Sequence, residues 1–442
     1  MNNSNNYHKV TAYRASIFHV LRDPGMEHDE AATEYFEDGL LIVEKGHVVK
    51  VGPADKLLTQ LPTDINVVDY TGKLIVPGFI DVHTHYPQVD MIAAYGEQLL
   101  EWLNKYTFPT EIKFTDECYA QDVAEFFLDE LLRNGTTTAL IMATTHQSSV
   151  DVIFNASRQR NMCMIAGKVL MDRHAPDALL DTPESGYQHS KELIEKWHNH
   201  DRLLYAITPR FAPTSSAAQL EQVSRLAKEY PSAYIHTHVA ENKNEIAWVA
   251  ELFPWSRSYL DVYDHFDLLR ERSVFAHCIH LNEDDHERMT QSGAAVAFCP
   301  TSNTFLGSGL FNLEHARAQN IRVGLATDVG AGTSFSMLQT LSDAYKVQQL
   351  AGTGLSPYRG FYLATLGSAE ALYLEDKLGN FASGKEADFI VLDYAATPLI
   401  ERRFRAATTI DEKLFTLMML GDDRVVSSTY IMGECAHTQI SA

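Results

Sequence analysis

The sequence predicts an α/β protein whose middle closes into a (β/α)8 barrel and whose two ends combine in one small β-sandwich. Three observations carry that expectation. Short apolar runs alternate with longer amphipathic ones through the middle of the chain, the pattern of a parallel sheet with crossover helices. Eight such apolar runs can be counted, the number that closes a barrel. Segments rich in β-formers, broken by turn residues, flank this middle on both sides.

Taken in order, residues 1–75 read as strands and turns. "GLLIVEKGHVVKVG", from Gly39 to Gly52, sets two β-rich runs around Lys45-Gly46, a hairpin signal. The barrel strands are expected at "LIVPGFIDVHTH" (from Leu74), "TTTALIMATT" (from Thr136), "CMIAGKVLMD" (from Cys163) and "LLYAITPRF" (from Leu203). The second four are "AYIHTHVAE" (from Ala233), "SVFAHCIH" (from Ser273), "AAVAFCP" (from Ala294) and "IRVGLATD" (from Ile321). "GNFASGKEADFIVLD" (from Gly379) and "VVSSTYIMGE" (from Val425) return to the β-rich style of the N-terminus. The expected boundaries are therefore 1–75 and 373–442 for the two parts of the β-sandwich and 76–372 for the barrel.

Composition narrows the function. The 442 residues are 45% hydrophobic and 21% charged, as in an ordinary globular protein. A formal net charge of −22 repels phosphate backbones and anionic lipid, which argues against nucleic-acid and membrane partners. No apolar run approaches the ~20 residues that span a bilayer. The opening "MNNSNNYHKV" has no apolar core of a signal peptide, so export is not expected. Five scattered cysteines without a CxxC read as reduced thiols, which points to the cytoplasm.

In such barrels the chemistry sits at the C-terminal ends of the strands. Those ends carry His83 and His85, Arg210, His236, His238 and Glu241, His277 and His280, and Asp328. His83 and His85 are spaced i, i+2, so both can face the barrel axis and grip one ion. Imidazole nitrogens with one carboxylate oxygen suit Zn²⁺ or Fe²⁺, whereas Ca²⁺ and Mg²⁺ want oxygen throughout. Three or four protein ligands leave a position open for water, whose pKa such a metal lowers.

Glu241, three residues beyond His238, is placed to carry protons between water and substrate. The lesser alternative is a first-turn acid favoured by a helix dipole. His236 and His280 read as supporting residues, Lys168 as a buried, paired lysine, and His198 and His200 as solvated. Arg210 reads either as a substrate contact or as a barrel-mouth arginine paired to a structural carboxylate. Trp102 can stack on substrate or belong to a helix core.

"PGFIDVHTH", "HTHVAEN", "AHCIH", "FCPTSN" and "ATDVG", in that order, resemble the amidohydrolase superfamily and within it the mononuclear aminohydrolase branch. "GNFASGKEADFIVLD" is similar to that superfamily's C-terminal β-sandwich segment. Binuclear members carry a carbamoylated lysine at the end of strand four; here that strand ends in Thr208, Pro209, Arg210 and Phe211, which argues for one metal. The absence of PCxxC separates the chain from the unrelated zinc deaminases of that signature. "HTHYPQ", "EWLNKYTFPTE", "TPRFAPTSS" and "TDVGAGTSFSML" most resemble the branch members that act on guanine.

The resemblance implies one Zn²⁺ per chain, with Fe²⁺ as the alternative, held by His83, His85, His238 and Asp328, with His277 beside it. It implies Glu241, His277 and Asp328 as catalytic residues. Gln88, Arg210 and Phe211 would hold the purine, with His85, His238, Glu241 and Asp328 close to it. The implied reaction is hydrolytic deamination of guanine to xanthine in purine catabolism or salvage, by a cytoplasmic homodimer. A related ring (cytosine, an adenosine derivative or a triazine) is the alternative substrate, and a scaffold that has lost catalysis is the other class of protein to test against.

Overall fold

The computed structural model of the chain describes residues 10–439 apart from 27, 63, 64 and 97. In chain order the strands are β1 (Val10–Val20), β2 (Thr33–Glu44), β3 (His47–Pro53), β4 (Asn66–Pro77), β5 (Phe79–His85) and β6 (Thr136–Met142). They continue as β7 (Cys163–Gly167), β8 (Val169–Leu170), β9 (Leu203–Pro209), β10 (Tyr234–Val239) and β11 (Ser273–His277). The last are β12 (Ala295–Phe298), β13 (Arg322–Leu325), β14 (Phe389–Asp393), β15 (Val426–Ile431) and β16 (Glu434–Thr438).

Both chain ends build one seven-stranded sheet in the order β16-β15-β14-β4-β1-β2-β3. β2 and β3 are antiparallel across Lys45-Gly46, whose positive φ values of 51° and 80° are those of a tight hairpin turn. Tyr13, Ile17, Leu41, Ile75, Phe389 and Tyr430, from five strands of this sheet, share one buried cluster.

The other sheet runs β5-β6-β7-β9-β10-β11-β12-β13, with β8 as a short extra rung on β9. All its ladders are parallel. β13 and β5 meet at the seam through backbone hydrogen bonds from Asp328 N to His83 O (3.0 Å) and from His85 N to Val329 O (2.8 Å). The barrel is therefore closed at residues expected from the sequence to carry its chemistry. Inside it lie small and branched side chains such as Val82, Ile165, Ala206, Ala276 and Ala297, while the outward faces pack on the helices. Among the described residues no helix is long and apolar enough to cross a membrane.

Three expectations need correction. Leu74–Pro77 does not begin the first barrel strand: it pairs with β1 and β14 in the end sheet, and the barrel strand starts at Phe79. Gly78 makes the handover, since a Cβ there would lie 2.2 Å from Thr137 Oγ1. His280 lies beyond β11, because His277 and Cys278 turn the backbone with φ of 71° and 52°. His198 is half-buried and its Nδ1 accepts a hydrogen bond from Tyr205 N (3.0 Å), whereas His200 is exposed as expected.

Candidate active site

Simple alternation along β5 would not place His83 and His85 inside the barrel. Ile80 and Val82 already face inward, so the next inward position in a regular strand would be Thr84. The pairing with β6 shows what intervenes: Asp81 lies opposite Ala139 and Thr84 opposite Ile141, three residues against two. This β-bulge shifts the pleat by one and turns both imidazoles inward. β10 needs no such device, because Tyr234, His236 and His238 alternate regularly with Ile235 and Val239.

Four of the expected ligand residues converge. His83 Nε2 lies 3.1 Å from Asp328 Oδ1, His85 Nε2 lies 3.3 Å from the same oxygen, and the two Nε2 atoms are 3.2 Å apart. Donor atoms of His238 fall within 4.8 Å of those of His83 and His85. Separations near 3.2 Å are those of ligands around an ion with bonds of about 2.0–2.1 Å. His238 Nδ1 is engaged by Arg210 O at 2.7 Å, which fixes the tautomer and leaves Nε2 free to ligate. Burial pushes His85 down to about 3 and His236 and His238 well below the usual histidine range, so these rings offer neutral lone pairs. Burial opposes ionisation of Asp328, but His83 and His85 outweigh it and hold the carboxyl well below the ordinary range. A buried set of three imidazoles and one carboxylate fits a divalent transition metal.

Cys299 Sγ falls within the same reach of His83, His277 and Asp328. Burial, then the Asp328 charge, pushes its thiol pKa well up, and Sγ–H donates to Ala297 O at 3.4 Å, so it is a weak candidate ligand.

Around this cluster stand the groups expected to move protons. His277 Nε2 lies 3.5 Å from Glu241 Oε2 and 3.8 Å from Asp328 Oδ2. Asn303 Oδ1, at 2.8 Å, orients His277 through Nδ1. Glu241 is 2% exposed and accepts from Ser308 Oγ at 2.8 Å. Burial, reinforced by Asp328, pushes its pKa up to about 8. It precedes Asn242, the N-cap of the helix Lys243–Leu252, so it stands outside that helix and its first turn. Glu245 closes the capping box: Oε2 accepts from Glu241 N (3.0 Å) and Asn242 N (3.1 Å), and Oε1 from Tyr259 OH (2.7 Å).

The cluster opens into a pocket with about 440 Å³ of empty space, lined by the carboxylate and imidazoles on one side and Gln88, Arg210, Phe211 and Trp102 on others. Trp102 is 2% exposed and packs edge-on to Phe305 at 5.7 Å; it is both core and wall. Arg210 Nη1 is gripped by both oxygens of the buried Glu111, at 2.9 and 2.8 Å. Arg210 is therefore paired to a carboxylate and also lines the pocket. Lys168 is buried on Asp181, as expected, and His280 Nε2 bonds Ser308 O at 3.0 Å. His236 Nε2 sits 2.6 Å from His83 Nδ1 and so supports that ring.

Residues 74–436 match the family model described as "Amidohydrolase family". The chain belongs to the amidohydrolase family. It is 54% identical to the guanine deaminase of Escherichia coli (strain K12), over 97% of this chain and 98% of that protein. The solved E. coli guanine deaminase superposes with a TM-score of 0.95, over 97% of this chain and 100% of that one. A guanine deaminase structure from Bradyrhizobium japonicum gives 0.94 at 40% identity, covering 98% of this chain and 100% of that one. The guanine deaminase of C. acetobutylicum, solved with guanine bound in its active site, gives 0.87 at 27% identity, with coverages of 96% and 99%.

Glu111, Glu245, Asn303 and Ser308 were not singled out by the sequence. Glu245 had a readable signal, because Asn242-x-x-Glu245 is a capping-box spacing. Asn303 and Ser308 lie in and after "FCPTSN", beyond a strand end, and nothing local distinguishes them from turn residues.

Proposed function

We propose that the chain is a metal-dependent guanine aminohydrolase, converting guanine and water to xanthine and ammonia. One observation carries this reading: a buried carboxyl, Glu241, which burial and Asp328 push up to about 8, stands 3.5 Å from His277 Nε2 and lines one pocket with His85, His238, Asp328, Arg210 and Gln88. The relatives named for guanine deamination, matched over nearly their whole length, support it. We take His83, His85, His238 and Asp328 as the ligands of one Zn²⁺ or Fe²⁺, and the barrel, from Phe79 to about residue 372, as the catalytic unit. Five free thiols, three of them buried, support a reducing cytoplasmic setting.

The metal, when bound, supplies a water acidic enough to act as nucleophile near neutral pH. The rest falls to the chain. Phe211 covers the ring, while Arg210 and Gln88 donate hydrogen bonds to its oxygen and nitrogen edges. Glu241 Oε2 gives its proton to the ring nitrogen beside carbon 2, which makes that carbon attackable. Asp328 Oδ2, 3.8 Å from His277 Nε2, takes the proton that water gives up as the new C–O bond forms. Glu241, now ionised, takes the proton of the new carbon-2 hydroxyl as the carbonyl forms and passes it to the departing amine; ammonia leaves, and the proton held by Asp328 returns to Glu241.

The test is a substrate panel on purified protein with its metal quantified: guanine, cytosine, an adenosine derivative and a triazine, followed by absorbance and ammonia release. Guanine turnover with about one equivalent of zinc or iron is the expected result. Brisk turnover of another ring with none of guanine refutes the assignment, and inert protein that no added metal restores favours the scaffold.

A further inference from the structure

We infer that Glu111 is a positioning residue for ring selection, fixing Arg210 and Gln88 as hydrogen-bond donors so that the pocket prefers a 6-oxopurine to a 6-aminopurine. The inference rests on the reading above that the pocket holds a purine.

Glu111 is 1% exposed and ends the short helix Phe108–Glu111, far in sequence from either partner. Its two oxygens hold Nη1 of Arg210, and among the described residues Nε and Nη2 of that guanidinium have no protein acceptor. The rigid fork is thus tethered by one nitrogen, with donors left over for a ligand. The same carboxylate accepts from Gln88 Nε2 at 3.4 Å. On its other side Gln88 Oε1 accepts from Gly330 N, also at 3.4 Å. A carboxylate only accepts and a backbone N–H only donates, so the two neighbours together dictate which way the Gln88 amide faces.

The consequence is a wall of donors. Arg210 has N–H groups to offer, and Gln88 has its remaining N–H. A ring with an oxygen at position 6 satisfies them, whereas one with an amine there opposes donor to donor. A side chain that merely neutralised a buried arginine would not need to touch Gln88 as well. Replacing Glu111 by Gln keeps the shape and one acceptor but adds an NH₂ group. That group can donate to Gln88 Oε1, so only the 3.4 Å contact from Gly330 N still holds the amide, and a flipped amide can present an acceptor to the pocket at the cost of that one contact.

The experiment compares wild type with Glu111→Gln, each with its metal quantified. For guanine, kcat/KM should fall about 10- to 100-fold, mostly through KM, since losing 1–3 kcal/mol of hydrogen bonding shifts affinity by roughly that factor. For 2,6-diaminopurine, which keeps the 2-amine and replaces the oxygen by an amine, the fall should be smaller, so the ratio between the two substrates shrinks by about tenfold. Equilibrium binding of hypoxanthine against adenine, neither of which carries a 2-amine, reads the same preference without turnover. Wild type should favour hypoxanthine, and the variant should lose most of that preference. If both substrates and both ligands change by one common factor, or by none, Glu111 only supports the wall and the inference is overturned. Should Glu111→Gln fail to fold, Glu111→Asp, which keeps the charge but withdraws it by one methylene, must still narrow the preference. Wild-type protein that turns over some other ring and not guanine overturns the proposed function alone, because the hypoxanthine and adenine comparison still decides the role of Glu111.

Discussion

Replacing Glu241 by Gln isolates the proton-carrying step. The amide is nearly isosteric, its oxygen can still accept from Ser308 Oγ at 2.8 Å, and it sits outside the donor group that would hold the metal. What it loses is a proton that can be given up and recovered. With the carboxyl pushed up to about 8, the protonated form is favoured at pH 7. General acid–base catalysis is worth about 10²–10⁴-fold, or about 3–5 kcal/mol of barrier at 1.36 kcal/mol per decade. Glu241→Gln should therefore lower kcat for guanine by about that factor while KM and metal content stay within about twofold of wild type. In wild type, kcat/KM should fall as pH rises through about 8, because the protonated form is the one that starts the reaction. The variant's residual rate should show no such limb. The assay is steady-state ammonia release from pH 6 to 10 with metal measured in parallel. A variant with near-normal kcat, or one that keeps the alkaline limb, would show that the proton travels by another residue.

Three further outcomes are expected. Chelation should abolish turnover and lower the melting temperature, and added Zn²⁺ should restore both; His83→Ala should hold well under one equivalent of metal, and a variant that retains full metal would refute its place in the donor set. Glu245, driven up to about 7 by burial and then by Glu241, is uncharged in the fold up to that pH but ionises near 4.5 when unfolded. The stability it gives is complete below about 4.5 and is lost as pH rises through about 7, so Glu245→Gln should flatten that part of a denaturant-midpoint profile even if it lowers stability overall; an unchanged slope would refute the shift. Gly332→Ala would set a Cβ 1.7 Å from Thr327 O and 2.9 Å from Asp328 O, so Asp328 must move; metal affinity should drop at least tenfold, and unaltered affinity would mean that the loop yields elsewhere.

Much of this arrangement was legible because its determinants are local. A histidine pair at i, i+2 and an HxxxxE run such as His236 to Glu241 advertise themselves within a few residues, and the strands that carry them are short apolar runs with turn residues at their ends. What could not be read is long-range or depends on backbone irregularity. Leu74–Pro77 and Phe79–His85 form one apolar run in sequence, and only their hydrogen-bond partners, β14 on one side and β6 on the other, divide them. The bulge that turns His83 inward adds no unusual residue. Glu111 lies in a stretch that reads as an amphipathic helix, and its meaning comes from Arg210, 99 positions later.

The seam between first and last barrel strands has a consequence for biogenesis. Asp81 and Thr327, 246 positions apart, are hydrogen-bonded beneath the donor cluster. Until a ribosome has released the eighth strand, the chain owns scattered imidazoles but no completed cage. An ion held there would act as the clasp of a bracelet, fastening the ring across its seam, and on that reading starving a cell of metal is expected to leave this protein more open to proteases than the loaded form.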